Sequence, residues 1–166
     1  IARMNQGHYL ERLDNAVPTD FSMGVAGYPE KHYEAPNLVE DLRHLKEKVD
    51  CGAEYIITQM VFSARAFRGF VERARSIGIR VPILPGVKPI TTARQLQTIP
   101  REFHVDLPDE LVACIQRAAT PADAFRAGSD FTIRLCRALL KLDVPGIHFY
   151  TMGKARDVAE VLKAIR

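Results

Sequence analysis

Short apolar runs alternate along the chain with stretches in which apolar residues recur at helical spacing. The run FSMGVAG at residues 21–27 ends in glycine before a proline-containing loop, which predicts a buried strand. An amphipathic helix is then predicted by the apolar stripe of Leu38, Leu42, Leu45 and Val49. Asn37 is the expected N-cap with Glu40 as its capping-box partner, and Gly52 marks the expected C-terminal end.

The same unit of strand and helix occurs twice more. YIITQMVF at residues 55–62 predicts a second strand, and Ser63 is the expected cap of a helix that ends near Gly78. The inward face of that helix carries Phe67, Phe70, Val71 and Ala74. PILPG at residues 82–86 predicts a third strand, which leads into a helix around residues 93–97.

Two further helices and a fourth unit complete the pattern. Pro108 stands at the expected first position of one helix, and Thr120 is the expected cap of another that runs to about Leu142. GIHFYT at residues 146–151 predicts a fourth strand. The closing helix has an apolar face formed by Val158, Val161, Leu162 and Ile165. Strands that alternate with helices predict right-handed crossovers and a parallel sheet.

The number of units defines the predicted architecture. A parallel (β/α)8 TIM barrel needs eight units in about 250 residues, whereas four are predicted in this chain. We therefore predict an α/β fold in which residues 1–20 are a lead-in segment and residues 21–166 form half of a barrel. Half a barrel has two unpaired sheet edges, so the expected partner is the missing half of the barrel.

Composition and charge argue against several classes of protein. The chain has 47% hydrophobic and 26% charged residues, as ordinary soluble globular proteins do, and no apolar run approaches the roughly 18 residues of a membrane helix. The net charge of +3 comes from interspersed acidic and basic residues, which disfavours nucleic-acid binding. Cys51, Cys114 and Cys136 are odd in number and widely spaced. We therefore expect no disulfide and no metal site, and a reducing cytoplasm fits best.

Candidate functional residues follow the predicted strands, where barrel enzymes carry their chemistry. They are Tyr28, His32, Gln59, Lys88, Gln95, Tyr150, Met152 and Lys154. An amide inside an apolar strand costs free energy unless it finds partners. Gln59 therefore either faces a ligand or is satisfied by backbone groups. Loop packing is the alternative interpretation of Tyr28 and His32, and His148 is interpreted as a structural histidine.

Two further patterns concern cofactors. Asp41, His44 and Lys48 share one helix face, which is typical either of contact with a polar ligand or of a solvated side. The motifs GxGxxG after a strand, GK[ST] and GxSxG are absent. A nucleotide cofactor would therefore have to bind in some other way.

Five motifs taken together resemble one family. VAGYPEKHYEA from Val25, DLRHLKEKVDCGA from Asp41, IITQMVF from Ile56, ILPGVKPI from Ile83 and GIHFYTMGKA from Gly146 occur in the order and spacing of the methylenetetrahydrofolate reductases. The resemblance begins at about residue 17 and continues to the last residue. It implies that the four units are the last four of a catalytic TIM barrel, so that residues 21–166 are its C-terminal half.

The resemblance implies a flavin enzyme of one-carbon metabolism. A reduced nicotinamide, NADH or NADPH, passes hydride to FAD, and the flavin then reduces 5,10-methylenetetrahydrofolate to 5-methyltetrahydrofolate for methionine synthesis. The implied protein is a cytoplasmic homo-oligomer without nucleic-acid or membrane partners.

Site residues are carried over from the matching motifs. The implied flavin contacts are Ala26, Tyr28, His32, Asp41, His44 and Lys48. The implied folate and nicotinamide contacts are Gln59, Gln95, Tyr150, Met152 and Lys154. The general acid, a glutamate, is expected in the missing N-terminal half, so no catalytic residue is assigned. We therefore expect the isolated chain to be inactive and to bind FAD weakly or not at all.

Four positions depart from the family pattern. His44 and Glu47 replace asparagine and arginine of some relatives, and Ile99 replaces an aromatic ring. Lys154 replaces an arginine, so the positive charge is kept but the planar fork for a carboxylate is lost.

Two other functions are weighed against the resemblance. Lys88, just after the third strand, could be the amine of a Schiff-base aldolase or lyase of the barrel type. A truncated folate-binding or assembly module without activity is the non-enzyme alternative. Neither alternative explains five ordered motifs.

Overall fold

A parallel sheet of four strands organises the chain, and the computed structural model describes residues 1–166. The strands are β1 (Gly24–Gly27), β2 (Tyr55–Met60), β3 (Ile83–Val87) and β4 (His148–Phe149). The helices are α1 (Leu38–Asp50), α2 (Ala64–Ser76), α3 (Ala93–Phe103), α4 (Asp109–Gln116), α5 (Pro121–Leu140) and α6 (Ala155–Ile165). The lead-in segment contains a single 3-10 turn, Met4–Gln6.

The strands lie in the order β1-β2-β3-β4, and every neighbouring pair is parallel. Right-handed crossovers between successive neighbours place all connecting helices on the same face of a sheet. A doubly wound sheet differs, because its strand order reverses and its helices cover both faces. The predicted parallel α/β fold is therefore confirmed, with a singly wound strand order.

The two faces of the sheet differ in burial because of this winding. On the helix-covered face Ile56, Thr58 and Met60 are buried, and the core cluster joins the strands to the helices. On the other face, Ala26 is exposed and Ile57 and Leu84 are half-buried. These three residues lie side by side in register across β1, β2 and β3. Residues 1–166 therefore leave one apolar face of the sheet open.

The helix predictions agree with the structure in most details. Asn37 Oδ1 accepts the backbone N–H of Glu40 as expected. The predicted capping box is wrong, however, because the Glu40 carboxylate accepts from Arg43 and does not reach the N-cap backbone. Ser63 and Thr120 cap α2 and α5.

Several element boundaries differ from the predictions. β1 begins at Gly24 and not at residue 21, and β4 has two residues instead of the six of GIHFYT. Pro108 is the N-cap of α4 and not its first helical residue. α3 continues to Phe103, beyond the predicted residue 97, and encloses Pro100. The strand ends depend on ladder partners that lie far away in the sequence. The helix ends depend on capping and packing, which periodicity does not define to the residue.

Helix α5 packs unusually close to the loop after β3. An ideal Cβ built on Gly128 would lie 1.8 Å from the carbonyl oxygen of Ile90, so only glycine allows this approach. The next residue, Ser129, is buried, and its hydroxyl has no hydrogen-bond partner. Gly128 therefore sets the distance between α5 and the β3–α3 loop.

None of the helices combines the length and the apolar character that crossing a membrane would demand.

Candidate functional site

The C-terminal ends of β1 and β2 open into a small cavity, which we call the Gln59 cleft. It has a volume of about 110 Å³. Its walls are the loop after β1 from Tyr28 to Tyr33, the end of β2 at Gln59 and Met60, and the end of α3 with residues 102–105. The cleft thus contains three of the residues predicted from the motifs, namely Tyr28, His32 and Gln59.

A row of aromatic rings lines this cleft. Tyr28 and His32 meet edge to face with ring centroids 4.6 Å apart, and His32 lies 4.8 Å from Tyr33. Tyr33 in turn stacks on His104 at 4.4 Å. The row joins the loop after β1 to the end of α3, where His104 has the left-handed conformation at φ 52°. Tyr33 and His104 were not predicted as site residues, because exposed rings far apart in sequence carry no periodic signal.

Glu30 was also missed by the sequence analysis. Its carboxylate accepts the backbone N–H of Asp106 at 2.9 Å, which ties the loop after β1 to the segment after α3. Partial burial raises the pKa of Glu30 above its ordinary value, while the hydrogen bond from Asp106 acts in the opposite direction. The cleft therefore contains one carboxyl group that keeps its proton to higher pH than a solvated glutamate.

The Gln59 side chain has a hydrogen-bond partner for its carbonyl oxygen but none for its amino group. Its Oε1 accepts the backbone N–H of Met60 at 2.9 Å, whereas its amino group donates no hydrogen bond within the chain. The side chain is partly exposed at the end of β2. The interpretation that backbone groups satisfy Gln59 therefore applies to its carbonyl oxygen, which accepts from Met60. The interpretation that Gln59 faces a ligand stays a prediction for its amino group, which is available at the cleft.

Gln95 and Lys154 meet in a second, more open cleft, which we call the Lys154 cleft. Its volume is about 620 Å³. Gln95 Oε1 accepts the backbone N–H groups of Thr91 and Thr92, so the carbonyl end of this amide caps α3. Lys154 is exposed and forms no ion pair. The capping role of Gln95 was missed, although a glutamine three residues after Thr92 is a recognised capping-box signal.

Tyr150 follows β4, and its side chain lies over the ends of β2 and β3. Its phenol donates to the carbonyl oxygen of Thr58 at 2.9 Å, where the β2–β3 register is irregular. Burial raises the pKa of the Tyr150 phenol, and nearby Tyr28 adds to the shift. An ideal Cβ on Gly86 would lie 2.5 Å from the Tyr150 ring, so the ring covers that glycine. Tyr150 therefore lies at the same rim as Gln59 but does not line the Gln59 cleft.

The remaining residues after β3 and β4 divide into buried and exposed ones. Lys88 is only 6% exposed, and burial lowers its pKa, with Asp157 opposing the shift and Lys154 reinforcing it. Met152 is 53% exposed and has φ 49° in the turn before Gly153. His148 packs edge to face on Tyr150 at 4.7 Å, which agrees with its structural interpretation.

The predicted flavin contacts lie in three places. Asp41 Oδ2 accepts the backbone N–H of His32 at 3.0 Å, so these two residues are joined beside the Gln59 cleft. His44 and Lys48 are exposed further along α1, and Lys48 lines a groove with Gly24 of β1. Ala26 is exposed on the open face of the sheet.

No group of three or more histidine, cysteine or acidic side chains is arranged to hold a metal ion.

Comparison with known proteins decides the family. The family profile described as methylenetetrahydrofolate reductase matches residues 9–166. The chain belongs to the methylenetetrahydrofolate reductase family. A probable methylenetetrahydrofolate reductase (NADPH) of Caenorhabditis elegans is 37% identical over 147 residues, which are 87% of this chain and 22% of that protein. The 5,10-methylenetetrahydrofolate reductase of Escherichia coli is 33% identical over 137 residues, which are 82% of this chain.

This member of the methylenetetrahydrofolate reductase family spans only part of its relatives. It covers 46% of the Escherichia coli protein and 22% of the Caenorhabditis elegans protein. A solved structure of similar fold has a TM-score of 0.58 and 18% identity, and it covers 87% of this chain and 53% of that one. It is described as an uncharacterized protein from Clostridium thermocellum that binds two copies of 5-methyl-5,6,7,8-tetrahydrofolic acid. At this identity the likeness concerns the fold.

Proposed function

We propose that the chain is one half of a flavin-dependent barrel that reduces 5,10-methylenetetrahydrofolate to 5-methyltetrahydrofolate, with NADH or NADPH as donor. The observation that carries the proposal is the Gln59 cleft. In a chain of this family, it presents an amide with a free amino group at the C-terminal end of a parallel strand, beside Tyr28 and His32. That end of the strands is where parallel barrels bind and transform their substrates.

The barrel itself is supported by the open face of the sheet. Ala26, Ile57 and Leu84 form an apolar layer without a cover, and β1 and β4 each have one unpaired edge. Apolar area and unpaired strand edges are both normally removed from water. Further strands that continue the same singly wound order would cover the layer and close the sheet. We therefore propose residues 21–166 as the C-terminal half of a (β/α)8 barrel and residues 1–20 as its lead-in segment.

The residues along α1 fit the chemistry of FAD. Lys48 and His44 are exposed donors suited to a pyrophosphate, and Asp41 keeps one carboxylate oxygen free for a ribose hydroxyl. Tyr28 offers an aromatic ring at the cleft, and the small Ala26 leaves room above β1. Bound flavin would accept hydride from the nicotinamide and return it to the folate. The role of these side chains is to hold and orient that cofactor.

The folate and the nicotinamide would share the mouth of the barrel. We assign Gln59 and Gln95 to orienting the folate, with their free amino groups as donors. Tyr150, Met152 and Lys154 would border the position where folate and nicotinamide alternate. The general acid is proposed to lie in the other half, so residues 1–166 alone are expected to lack activity and to bind FAD weakly. A cytoplasmic homo-oligomer is proposed from the family resemblance alone.

Gln59→Ala in the protein with a complete barrel tests the folate assignment. We expect the KM for methylenetetrahydrofolate to rise about ten-fold or more, because the amino group that hydrogen-bonds the substrate is lost. Flavin content and the rate at which NADH or NADPH bleaches the flavin should stay unchanged. Steady-state kinetics and stopped-flow absorbance measure the two effects separately.

Gln97→Ala is the matched control, because Gln97 is an exposed glutamine on α3 outside both clefts. It should leave the folate KM unchanged. A purified complete protein without flavin, or a Gln59→Ala variant with an unaltered folate KM, would contradict the proposal. Tight folate binding without any flavin would instead favour the folate-binding module.

One observation favours a second function. Lys88 is buried at the end of β3, and the lowered pKa of its amine is a property of lysines that form Schiff bases. In a barrel aldolase this amine would add to a substrate carbonyl and lose water to give an iminium. Borohydride should then fix the substrate on Lys88, as a mass increase that the Lys88→Arg variant lacks. Under the reductase proposal we expect no adduct with aldehyde or ketone substrates.

A further inference from the structure

Lys31, in the loop between β1 and α1, has φ 122°, a backbone conformation that glycine adopts far more readily than other residues do. A residue with a side chain keeps such a conformation only when the structure around it holds it there. On one side, the Glu30 carboxylate accepts the backbone N–H of Asp106 at 2.9 Å. On the other side, the backbone N–H of His32 donates to Asp41 Oδ2 at 3.0 Å. The turn at Lys31 is therefore fixed from both ends.

The ammonium group of Lys31 binds backbone carbonyls of its own loop. Its Nζ donates to the carbonyl oxygens of Ala35 at 2.7 Å, His32 at 3.1 Å and Tyr33 at 3.4 Å. A lysine ammonium has three N–H donors and no acceptor, so these three carbonyls occupy all of its donors. The strained backbone and the charged side chain thus belong to one closed turn, which the ammonium stabilises from within.

These bonds distinguish Lys31 from a lysine that binds a phosphate group. Lys31 lines the Gln59 cleft, and its side chain is half-buried. A phosphate-binding lysine keeps its donors for the ligand, whereas the donors of Lys31 are already satisfied within the loop. An anion could recruit this ammonium only by breaking the bonds that hold the turn. The effect of Lys31 on a ligand must therefore pass through the residues beside it.

The turn at Lys31 sets the positions of two rings at the cleft. His32 meets Tyr28 edge to face at 4.6 Å and lies 4.8 Å from Tyr33. Without the ammonium, the carbonyls of His32 and Tyr33 would converge with no donor between them, and a side chain would still have to accept the positive φ. The loop would then relax toward a negative φ, and the His32 ring would leave its place beside Tyr28.

We infer that Lys31 is a positioning residue, whose ammonium holds the loop after β1 in the conformation that presents Tyr28 and His32 to the flavin. The inference rests on the proposed function, in which these two side chains contact FAD. Lys31 acts through them and does not itself touch the cofactor. Glycine at this position would reach the same φ without the ammonium. The role therefore predicts which substitutions the loop tolerates.

The test titrates the apoprotein of the complete barrel with FAD and follows flavin fluorescence in three variants. Lys31→Met loses the ammonium and keeps the strain, so its Kd for FAD should rise about ten-fold. Lys31→Gly should stay within about two-fold of the unmodified protein, because glycine adopts the positive φ without strain. Lys31→Arg should lie between them, because a planar guanidinium does not match three converging carbonyls. Hydrogen exchange at the His32 amide should be faster in Lys31→Met than in Lys31→Gly.

Lys163→Met is the matched control, because Lys163 is exposed on α6 and pairs with Glu160. It should leave the Kd for FAD unchanged. Equal FAD affinity, or equal exchange at His32, in Lys31→Met and the unmodified protein overturns the inference while leaving the proposed function intact. Equal weakening in Lys31→Met and Lys31→Gly would assign the ammonium to direct contact with the flavin and also overturns the inference. An unmodified protein that binds no FAD overturns both.

Discussion

Replacement of Phe70 by alanine is expected to lower the free energy of unfolding by about 3–5 kcal/mol, as deletion of a fully buried ring does. Phe70 is 0% exposed and belongs to the main core cluster. Its ring lies beneath the end of β1, where an ideal Cβ on Gly27 would come within 2.9 Å of it. The cavity left by alanine would therefore lie directly under the strand that leads into Tyr28. Urea denaturation followed by circular dichroism measures the loss.

Arg68→Ala is the matched control on the same helix. Arg68 is exposed, and its contact with Glu72 is long at 3.7 Å, so its removal should change stability by less than about 0.5 kcal/mol. A Phe70→Ala variant as stable as Arg68→Ala would show that α2 does not pack on the sheet as described.

Gly128→Ala is expected to destabilise the chain by about 1–3 kcal/mol, even though alanine is the better helix former. The added methyl group would meet the carbonyl oxygen of Ile90 at 1.8 Å and its carbonyl carbon at 2.8 Å. Backbone atoms cannot rotate away as a side chain can, so α5 and the β3–α3 loop must separate. Thermal denaturation measures the cost, and the position of Gln95 relative to α5 should change with it.

Ser129→Ala, at the next position of α5, should have the opposite sign. Its hydroxyl is buried without a partner, and removal of an unsatisfied group should leave stability unchanged or raise it by about 1 kcal/mol. Equal melting temperatures for Gly128→Ala and the unmodified chain would contradict the close packing at Ile90.

The elements of the fold could be predicted because their signals are local. Leu42 and Leu45 of α1 are buried as their helical spacing predicts, and the caps Ser63 and Thr120 form as expected. The ends of β1 and β4 could not be predicted, because a strand residue needs a partner on the neighbouring strand. Ser22, for example, lies in the apolar run before β1, yet the pairing of β1 with β2 begins only at Gly24, and the Ser22 hydroxyl donates to the Glu54 carboxylate.

The candidate site was predictable where a residue is chemically unusual for its position. Gln59 stood out as an amide in an apolar strand, and the structure places it at the end of β2 beside the cleft. Glu30, Tyr33 and His104 carried no such signal, because charged and aromatic residues are ordinary in loops. Their significance comes from contacts between segments more than 70 residues apart in sequence, such as the hydrogen bond from Asp106 to Glu30.

Because β4 is short, we expect this edge of the sheet to open more often than the other strands do. Only His148 and Phe149 pair with β3, and beyond them the strand is held by the backbone bond from Tyr150 to Val87 and by the phenol on Thr58. So few bonds allow local unfolding that spares β1, β2 and β3. Amide hydrogens of β4 should then exchange with solvent long before those of β2, and each opening would uncover Gly86 at the mouth of the sheet.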